Sequence, residues 1–549
     1  MGQGQRPLSG SRRRFVGASA AGAAAVALPA WLAGCGREAP GLEGGFAGID
    51  MARGHALRDG RWASQPVAKE RRTRVLITGG GVAGLAAARA LRQAGIDDFA
   101  LLELEDEAGG NARGGQVGGL ACPLGAHYLP VPGDDAREVQ ELLEELGLRR
   151  REAGRWVYDE RHLCHSPQER LFFQGEWQEG LLPLHGVGAG TLAQYRRFAQ
   201  KVEALRRAAH FAIPTLRAAP SALLADLDRP SFAAWLDAEA LHDPHLRWYL
   251  GYCCRDDYGA GLAQVSAWAG LHYFASRHGF HAPDDGLDAE REAVLTWPEG
   301  NAWLTRRLAA PLAGRLHTGQ VVLAIADTRN GVVVDAWDAA SQQRVRWQAA
   351  QCIVALPAFV AARVVASPPA FLTELAAGLT YSPWLVANLH LSSPLRDRPG
   401  AAPSWDNVVY GTRGLGYVDA GHQRLDPTPA PTVLSWYRPL GPSEFDGGDG
   451  RRLLAERPWE AWRDELLAEL SVPHPDLAER ATRLAIMRYG HAMAVPAPGL
   501  RARLARLAPG GSVQAGLLHF AHADWSGYSI FEEAFTRGHL AGQAAARAA

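Results

Sequence analysis

The apolar positions of the chain change period several times, and each change marks an element. Arg74-Val75-Leu76-Ile77-Thr78 is a short β-branched, apolar run, the pattern of a buried strand. A helical pattern follows from Leu85 to about Gln93, and Phe99-Ala100-Leu101-Leu102 reads as a second strand. Residues 134–149 place Val139, Leu142, Leu143 and Leu146 on one face, which predicts an amphipathic helix. From about 190 to 280 the pattern is again helical and rich in rings, among them Tyr195, Phe198, Trp248, Tyr249, Trp268 and Tyr273. Between Tyr381 and Leu440 apolar and polar residues alternate, as in Leu385-Val386-Ala387-Asn388-Leu389-His390-Leu391, and sheet is expected.

The turn between the first strand and the first helix is Gly79-Gly80-Gly81-Val82-Ala83-Gly84. Gly79 permits the tight turn, Gly81 lets the backbone approach a pyrophosphate, and Gly84 lets helix and strand pack closely. Val82 and Ala83 then open a helix whose free N–H groups carry partial positive charge toward phosphates. The second strand ends in Glu103, followed by Leu104 and nineteen residues after Gly84, where a carboxylate is placed to bind ribose hydroxyls. This combination predicts a dinucleotide-binding α/β unit.

Length and charge narrow the classes further. With 549 residues the chain is expected to hold about two to four structural units. A formal net charge of −1 gives no basic field for nucleic acid, so no nucleic-acid partner is expected. Lysine occurs only as Lys69 and Lys201, which limits the catalytic roles a lysine can fill. Ser11-Arg12-Arg13-Arg14-Phe15-Val16 resembles a twin-arginine export signal. The Ala- and Gly-rich run from Gly17 to Leu32 is too short and too small-residued for a stable membrane span. It ends in Leu32-Ala33-Gly34-Cys35, which resembles a bacterial lipobox. The implied history is carriage by the twin-arginine translocase, then anchoring of a periplasmic protein to the membrane through lipid on Cys35; plain cleavage without lipid is the alternative. Residues 36 to about 70 show no period and read as a linker. The later cysteines show no metal spacing, and no metal site is expected.

Beyond Glu103 the motifs resemble those of the flavin-containing amine oxidases and the related phytoene desaturases. Asp106-Glu107-Ala108-Gly109-Gly110-Asn111-Ala112-Arg113 is similar to the family's second flavin motif, in which paired glycines meet the FAD diphosphate and an arginine follows. Gly125-Ala126-His127-Tyr128 falls where the family approaches the isoalloxazine ring. Val322 matches a valine whose backbone contacts the adenine, and Cys352-Ile353-Val354-Ala355-Leu356-Pro357 resembles the strand that ends in proline near the flavin. At the C-terminus, Phe520-Ala521-His522-Ala523-Asp524-Trp525-Ser526-Gly527-Tyr528 resembles the F-A-G, acidic residue and W-S-G-Y sequence of monoamine oxidases, with Ser529 and Ile530 next to it. Glu532-Glu533-Ala534 and Gly538 are similar to the helix start under the diphosphate. The resemblance implies a Rossmann-type FAD-binding domain assembled from 71–150, 286–365 and 486–549. A substrate domain of mixed sheet and helices is implied at 151–285 and 366–485, after a signal at 1–35 and the linker.

Two departures bear on the chemistry. The family's lysine, a few residues beyond the proline, is matched here by Arg363, which stays protonated and positions water or substrate rather than acting as a weak base. In Gly490-His491-Ala492-Met493, before Pro498-Gly499, His491 and Ala492 stand where monoamine oxidases carry a flavin-linking cysteine and one wall of an aromatic cage. Tyr528 is expected to supply the other wall. His491 is open between a covalent flavin link and an ordinary hydrogen bond. Trp405-Asp406-Asn407-Val408 either faces the pocket or forms a structural corner, and Asp256, Asp257 and Tyr258 have no assignable role. The family likeness implies an FAD-dependent oxidation of a small organic substrate, with amines and polyamines first, and re-oxidation by oxygen or a respiratory acceptor. A desaturase or isomerase of an apolar substrate and a non-catalytic FAD-binding envelope lipoprotein are the alternatives.

Overall fold

The polypeptide comes into view at a short strand, β1 (Glu43–Phe46), and a helix, α1 (Met51–Arg58), before the twelve-residue strand β2 (Val67–Thr78). The computed structural model describes residues 42–277, 279–283, 293–396, 398–426, 428–443, 445 and 449–548. The export motif and lipobox expected at 11–35 lie outside these residues. The linker expected from 36 to about 70 is corrected from residue 43 onward. No apolar period marks this stretch because it docks through its backbone and its ends: β1 pairs with Arg483–Ile486, Asp50 caps α1 by accepting from the Arg53 amide (3.0 Å), and only Ala56 of α1 is buried.

β2 is polar and largely exposed in its first half and buried from Val75 to Thr78. It feeds the glycine turn and the helix α2 (Val82–Gln93), which starts three residues earlier than its apolar period because Gly81 is the N-cap. The strand β3 (Phe99–Leu102) then lies parallel to β2, with Val75 opposite Phe99. The helix expected in 134–149 runs from Arg137 to Glu145, with Val139, Leu142 and Leu143 buried. The helical block includes Ala189–Ala208, Ala267–Ala275 and, between them, α3 (Pro244–Tyr258), capped by Asp243 and ended by Gly259 at φ +66°.

Three further long strands belong to the eight-stranded nucleotide-binding sheet: β4 (Gln320–Thr328), β5 (Gly331–Asp338) and β6 (Gln343–Val354). β6 is parallel to β2 along most of its length. On its other edge the first half pairs antiparallel with β5, and Cys352–Val354 pairs parallel with Leu518–Phe520 near the C-terminus. One sheet therefore joins the beginning, middle and end of the chain, as the motif positions implied. After β6 comes a short helix, α4 (Ala358–Val364).

A second sheet of eight strands contains β7 (Tyr381–Leu391) and β8 (Ala481–Ala494). Its order is β1, β8, β7, Thr432–Pro439, Tyr417–Asp419, Asp406–Val409, Glu169–Phe173 and Glu176–Glu179. The sheet expected in 381–440 is present, and it extends back to Glu169 and forward through Ala494. Residues of its inner face, such as Val386, Val408 and Tyr437, share a core with Tyr195, Leu250 and Trp268 of the helices. Among the described residues no helix is long and apolar enough to cross a membrane.

The last helix, α5 (Phe531–Ala548), lies against α2. The approach is closer than side chains permit: a Cβ on Gly538 would fall 2.0 Å from the Ala83 carbonyl oxygen, and one on Gly542 would fall 2.6 Å from that of Ala87. Gly538→Ala is expected to destabilise the protein by about 1–3 kcal/mol through overpacking. Gly133→Ala, whose Cβ meets nothing within 4 Å, serves as the control. Paired thermal melts check this, and equal midpoints would refute the close contact.

Candidate active site

The glycine turn and the second glycine pair make a channel of bare backbone. Gly79 has φ +101°, and a Cβ there would lie 2.3 Å from the Ala355 carbonyl oxygen. A Cβ on Gly84 would lie 1.9 Å from the Gly79 oxygen, so the strand, turn and helix pack only because both are glycine. Gly109 donates to the Gly80 carbonyl (2.8 Å) and bridges to Gly81; Gly109 and Gly110 have φ of +134° and +58°. Gly81 faces Gly110 with no side chain between them, and a Cβ on Gly110 would lie 3.1 Å from the Gly81 Cα. The first turn of α2, from Val82 and Ala83, has no side-chain cap and no acidic residue. This is an N-terminus suited to a diphosphate.

Glu103 stands at the end of β3, 7% exposed. Its carboxylate accepts from the amides of Gly80 (2.7 Å) and Glu105 (2.9 Å). Burial pushes its pKa up, against those amides and Arg113. Leu104 follows it, and β4 begins beside it, with the Gln320 amide donating to the Glu103 carbonyl (2.7 Å). Val322, buried, precedes a register break between β4 and β5. Glycine channel, helix terminus and Glu103 thus meet at the ends of neighbouring parallel strands, a place that could hold the two phosphates and the ribose of FAD.

The flavin end is built from Gly125–Tyr128. The Ala126 amide donates to the Asn111 carbonyl (2.8 Å), and a Cβ on Gly125 would lie 2.1 Å from that oxygen. The Asn111 side chain donates to the Ala492 carbonyl (2.9 Å), which brings the second glycine motif to the end of β8. Asn301 fixes the segment from the other side, through its amide to Ala126 (3.0 Å) and its Nδ2 to the Tyr128 carbonyl (2.8 Å). The His127 ring lies 4.4 Å from Tyr437, 4.9 Å from Tyr128 and 5.5 Å from Trp405. Burial in this aromatic nest lowers its pKa to about 3, so His127 is neutral at physiological pH.

Two carboxylates share this nest. Asp256, on α3, has its pKa pushed up to about 7, first by burial and then by Asp257, against Arg277 and Arg255. Asp406 is held well above the carboxylate range by burial, then by Glu169 and Asp256. Both act on the phenols of Tyr252 and Tyr437, and Asp256 also on Tyr273. Among the described residues no hydrogen bond reaches the Asp256 carboxylate. Asp406 begins a strand of the substrate sheet, paired to Val418 and Glu169, and its carboxylate acts on Tyr437. Asp256 has no sequence signature: its role comes from the helix that turns it toward Tyr437, more than 180 residues away.

Several expected residues are engaged elsewhere. Tyr528 is not a pocket wall: it is 1% exposed, its hydroxyl donates to Asp257 (2.5 Å) and accepts from Arg277 (3.0 Å), and its ring packs on Tyr258 and His272. Arg277 also pairs with Asp257 (3.1 Å), so the three form a buried polar pin. Arg363 is exposed and donates to the Arg58 carbonyl at the end of α1, so it does not position substrate. Arg113 is 7% exposed and bound to the Gly48 carbonyl (2.8 Å) and Glu105 (3.5 Å), rather than directed at a ligand. His491 stacks on Phe359 (4.3 Å) and accepts from Arg451 (2.8 Å). Burial and Arg451 lower its pKa to about 4, so its ring is neutral.

Asp524 ties three segments together. It accepts from the Ala358 amide (2.8 Å) and the Tyr381 hydroxyl (2.5 Å) and pairs with His522 (3.2 Å). Burial works to raise its pKa, but these partners outweigh it and hold it below the usual value. Next to it, Gly527 turns with φ +64°, the Ser529 hydroxyl accepts from the Ala494 amide (2.9 Å), and Ile530 packs against the substrate-domain core. Among the described residues no disulfide joins Cys122, Cys164, Cys253, Cys254 or Cys352. Among the described residues no group of three His, Cys, Asp or Glu side chains is placed to hold a metal.

The model of one family, described as flavin containing amine oxidoreductase, matches residues 82–546. The chain belongs to that family. Its cofactor is FAD, and it is an FAD-dependent oxidoreductase of the amine oxidase type. The fold is shared with a putrescine oxidase solved with putrescine bound, at a TM-score of 0.65 and 19% identity, covering 86% of this chain and 99% of that one. Cyclohexylamine oxidase from Brevibacterium oxydans IH-35A matches at 0.61 and 19% identity, covering 87% and 99%. A fatty acid isomerase from P. acnes matches at 0.56 and 15% identity, covering 86% and 98%. The fold alone therefore does not select a substrate.

The channel between Gly81 and Gly110 is open to test. A Cβ on Gly81 meets only the Gly110 Cα, at 3.8 Å, so Gly81→Ala has room to fold while narrowing the diphosphate path. The expected outcome is an unchanged apoprotein melt with most of the bound FAD lost, read as flavin absorbance per chain. Full flavin content would place the diphosphate elsewhere.

Proposed function

We propose that this member of the family oxidises a small cationic amine. The observation that carries the reading is the pair Asp256 and Asp406 in the aromatic nest beside His127 and Tyr128. Rings alone would serve an apolar ligand as well. Two half-buried, mutually repelling carboxylates are an expensive lining for such a ligand, and an ammonium group relieves both the desolvation and the repulsion. The putrescine and cyclohexylamine oxidases that share the fold support the same reading. Bound FAD supplies the two-electron sink for the carbon next to the amine nitrogen. Asp256 and Asp406 hold the cation, the rings of Tyr437, Trp405 and Tyr128 exclude water, and neutral His127 adds no competing charge. The electrons pass on to oxygen or a respiratory carrier.

The carboxylate must be ionised to hold the cation. Asp256, with its pKa raised to about 7, is protonated below that value and charged above it. Affinity for the amine is therefore expected to rise with pH through about 7 as Asp256 ionises, seen as a falling KM, with a further rise where Asp406 ionises. Asp256→Asn should remove the first rise and weaken amine binding by about 2–4 kcal/mol, roughly 30- to 1,000-fold, with flavin content unchanged. Anaerobic bleaching of the flavin by a panel of mono-, di- and polyamines gives both the substrate class and its affinity. No bleaching by any amine, or bleaching with an unaltered KM in the variant, defeats the proposal.

We also propose export before anchoring. Support comes from the order of the arginine pair, the small-residue run and Cys35. Lysine at both Arg12 and Arg13 should trap the precursor in the cytoplasm, and Cys35→Ala should abolish labelling with radioactive palmitate. Fractionation that shows the same location for all forms rules this route out.

A further inference from the structure

The segment between β1 and β2 runs beside Leu104–Asp106, just beyond Glu103, and none of the flavin motifs includes it. Its two ends are fixed in different sheets: β1 runs beside β8 in the substrate sheet, and β2 is central to the nucleotide-binding sheet. What it touches in between is the rim of the FAD site. The Asp50 amide donates to both oxygens of Glu105 (3.3 Å each), two residues beyond the ribose carboxylate Glu103. Arg53 donates to the Leu104 carbonyl (3.0 Å) and pairs with Asp106 (2.8 Å). The Gly48 carbonyl takes the Arg113 guanidinium of the second glycine motif. Leu57 packs on the core that contains Val322, together with Leu356 and Val360, and the Arg58 carbonyl accepts from Arg363. Beyond α1 the chain is pinned again, by Trp62 stacked on Trp337 (5.4 Å) and by Arg344 donating to the Ala63 carbonyl (2.7 Å).

We infer that Gly48–Arg58 is the outer wall of the FAD site and controls how fast the cofactor leaves, with Arg53 as the positioning residue that holds the wall shut. This rests on the assignment of FAD to that site. The physical logic lies in the kind of contact. α1 buries only Ala56, so apolar packing holds it weakly and a few polar bonds decide whether it is down. Those bonds go to the backbone and carboxylates that flank Glu103, so lifting the helix uncovers the adenosine half of the site while both anchoring strands stay paired. Arg363 and Arg113, which family position alone would direct at flavin or substrate, serve instead to fasten this wall.

The test is the rate of FAD release from the purified full-length holoprotein, followed as the gain in free-flavin fluorescence after dilution. Arg53→Ala is expected to speed release about tenfold, the loss of two charge-assisted bonds, without lowering the apoprotein melting temperature. Arg53→Lys should recover part of the retention through Asp106. Glu43→Gln, which removes an exposed pairing to Arg483 (3.7 Å) on the same segment, should leave the rate as it is. Equal rates for wild type and Arg53→Ala, including a wild type that never lets go, would overturn the inference, as would equal acceleration by Glu43→Gln. Protein that carries no flavin at all would instead remove the cofactor assignment beneath it.

Discussion

Where Gly81 passes Gly110 two backbones run close together, and a Cβ on Gly110 would lie 3.1 Å from the Gly81 Cα. This closeness depends on Gly79 turning through positive φ under the Ala355 carbonyl, on Gly84 lying against the Gly79 oxygen, and on α5 pressing its own glycines onto α2 from behind. Each contact excludes a side chain, so the channel is defined by what cannot be added. The sheet beneath it has a matching economy: β6 serves β2 on one edge and both β5 and the C-terminal strand on the other. Remove any one of these and the helix N-terminus no longer points at a fixed place.

The substrate side follows a different principle. There the chain concentrates rings and then sets two half-buried acids among them, offset only in part by Arg277, Arg255 and the Asn407 amide. In a folded protein such charges are tolerated when something outside the chain completes them. By contrast, Asp257, Tyr528 and Arg277 satisfy one another within the core, and Asp524 is satisfied by two other segments and by neighbouring His522. Adjacent residues on one helix, Asp256 and Asp257, therefore differ: Asp257 is closed off by a pin, while no hydrogen bond among the described residues reaches the Asp256 carboxylate.

Much of the cofactor half was legible in the order of residues, because nucleotide binding is local. Gly79 to Glu103 is one continuous stretch, and each residue acts through its own backbone or its place at a strand end. The discontinuous assembly was legible too, since Val322, Pro357 and Asp524 sit in recognisable strings. Side-chain direction was not. Tyr528 lies in the expected string, yet its hydroxyl turns to Asp257, because α3 brings an acid there that no string announces. Arg363 was expected at the flavin and is drawn to the Arg58 carbonyl by a helix that itself lacked any readable period. Asp256 stands out in the sequence beside Asp257 but could be given no role, since an acid beside aromatic residues looks the same whether it faces water or a pocket.

The contact between α5 and α2 also imposes an order of events during synthesis. The helix that completes the nucleotide-binding unit begins at Phe531, while the turn it supports ends at Gly84. The first dinucleotide motif therefore leaves the ribosome without the partner that braces it, and waits for almost the entire remaining chain. Cofactor loading becomes a report on completion: a chain broken off late, although it holds every glycine of the binding turn, lacks the brace that sets their spacing.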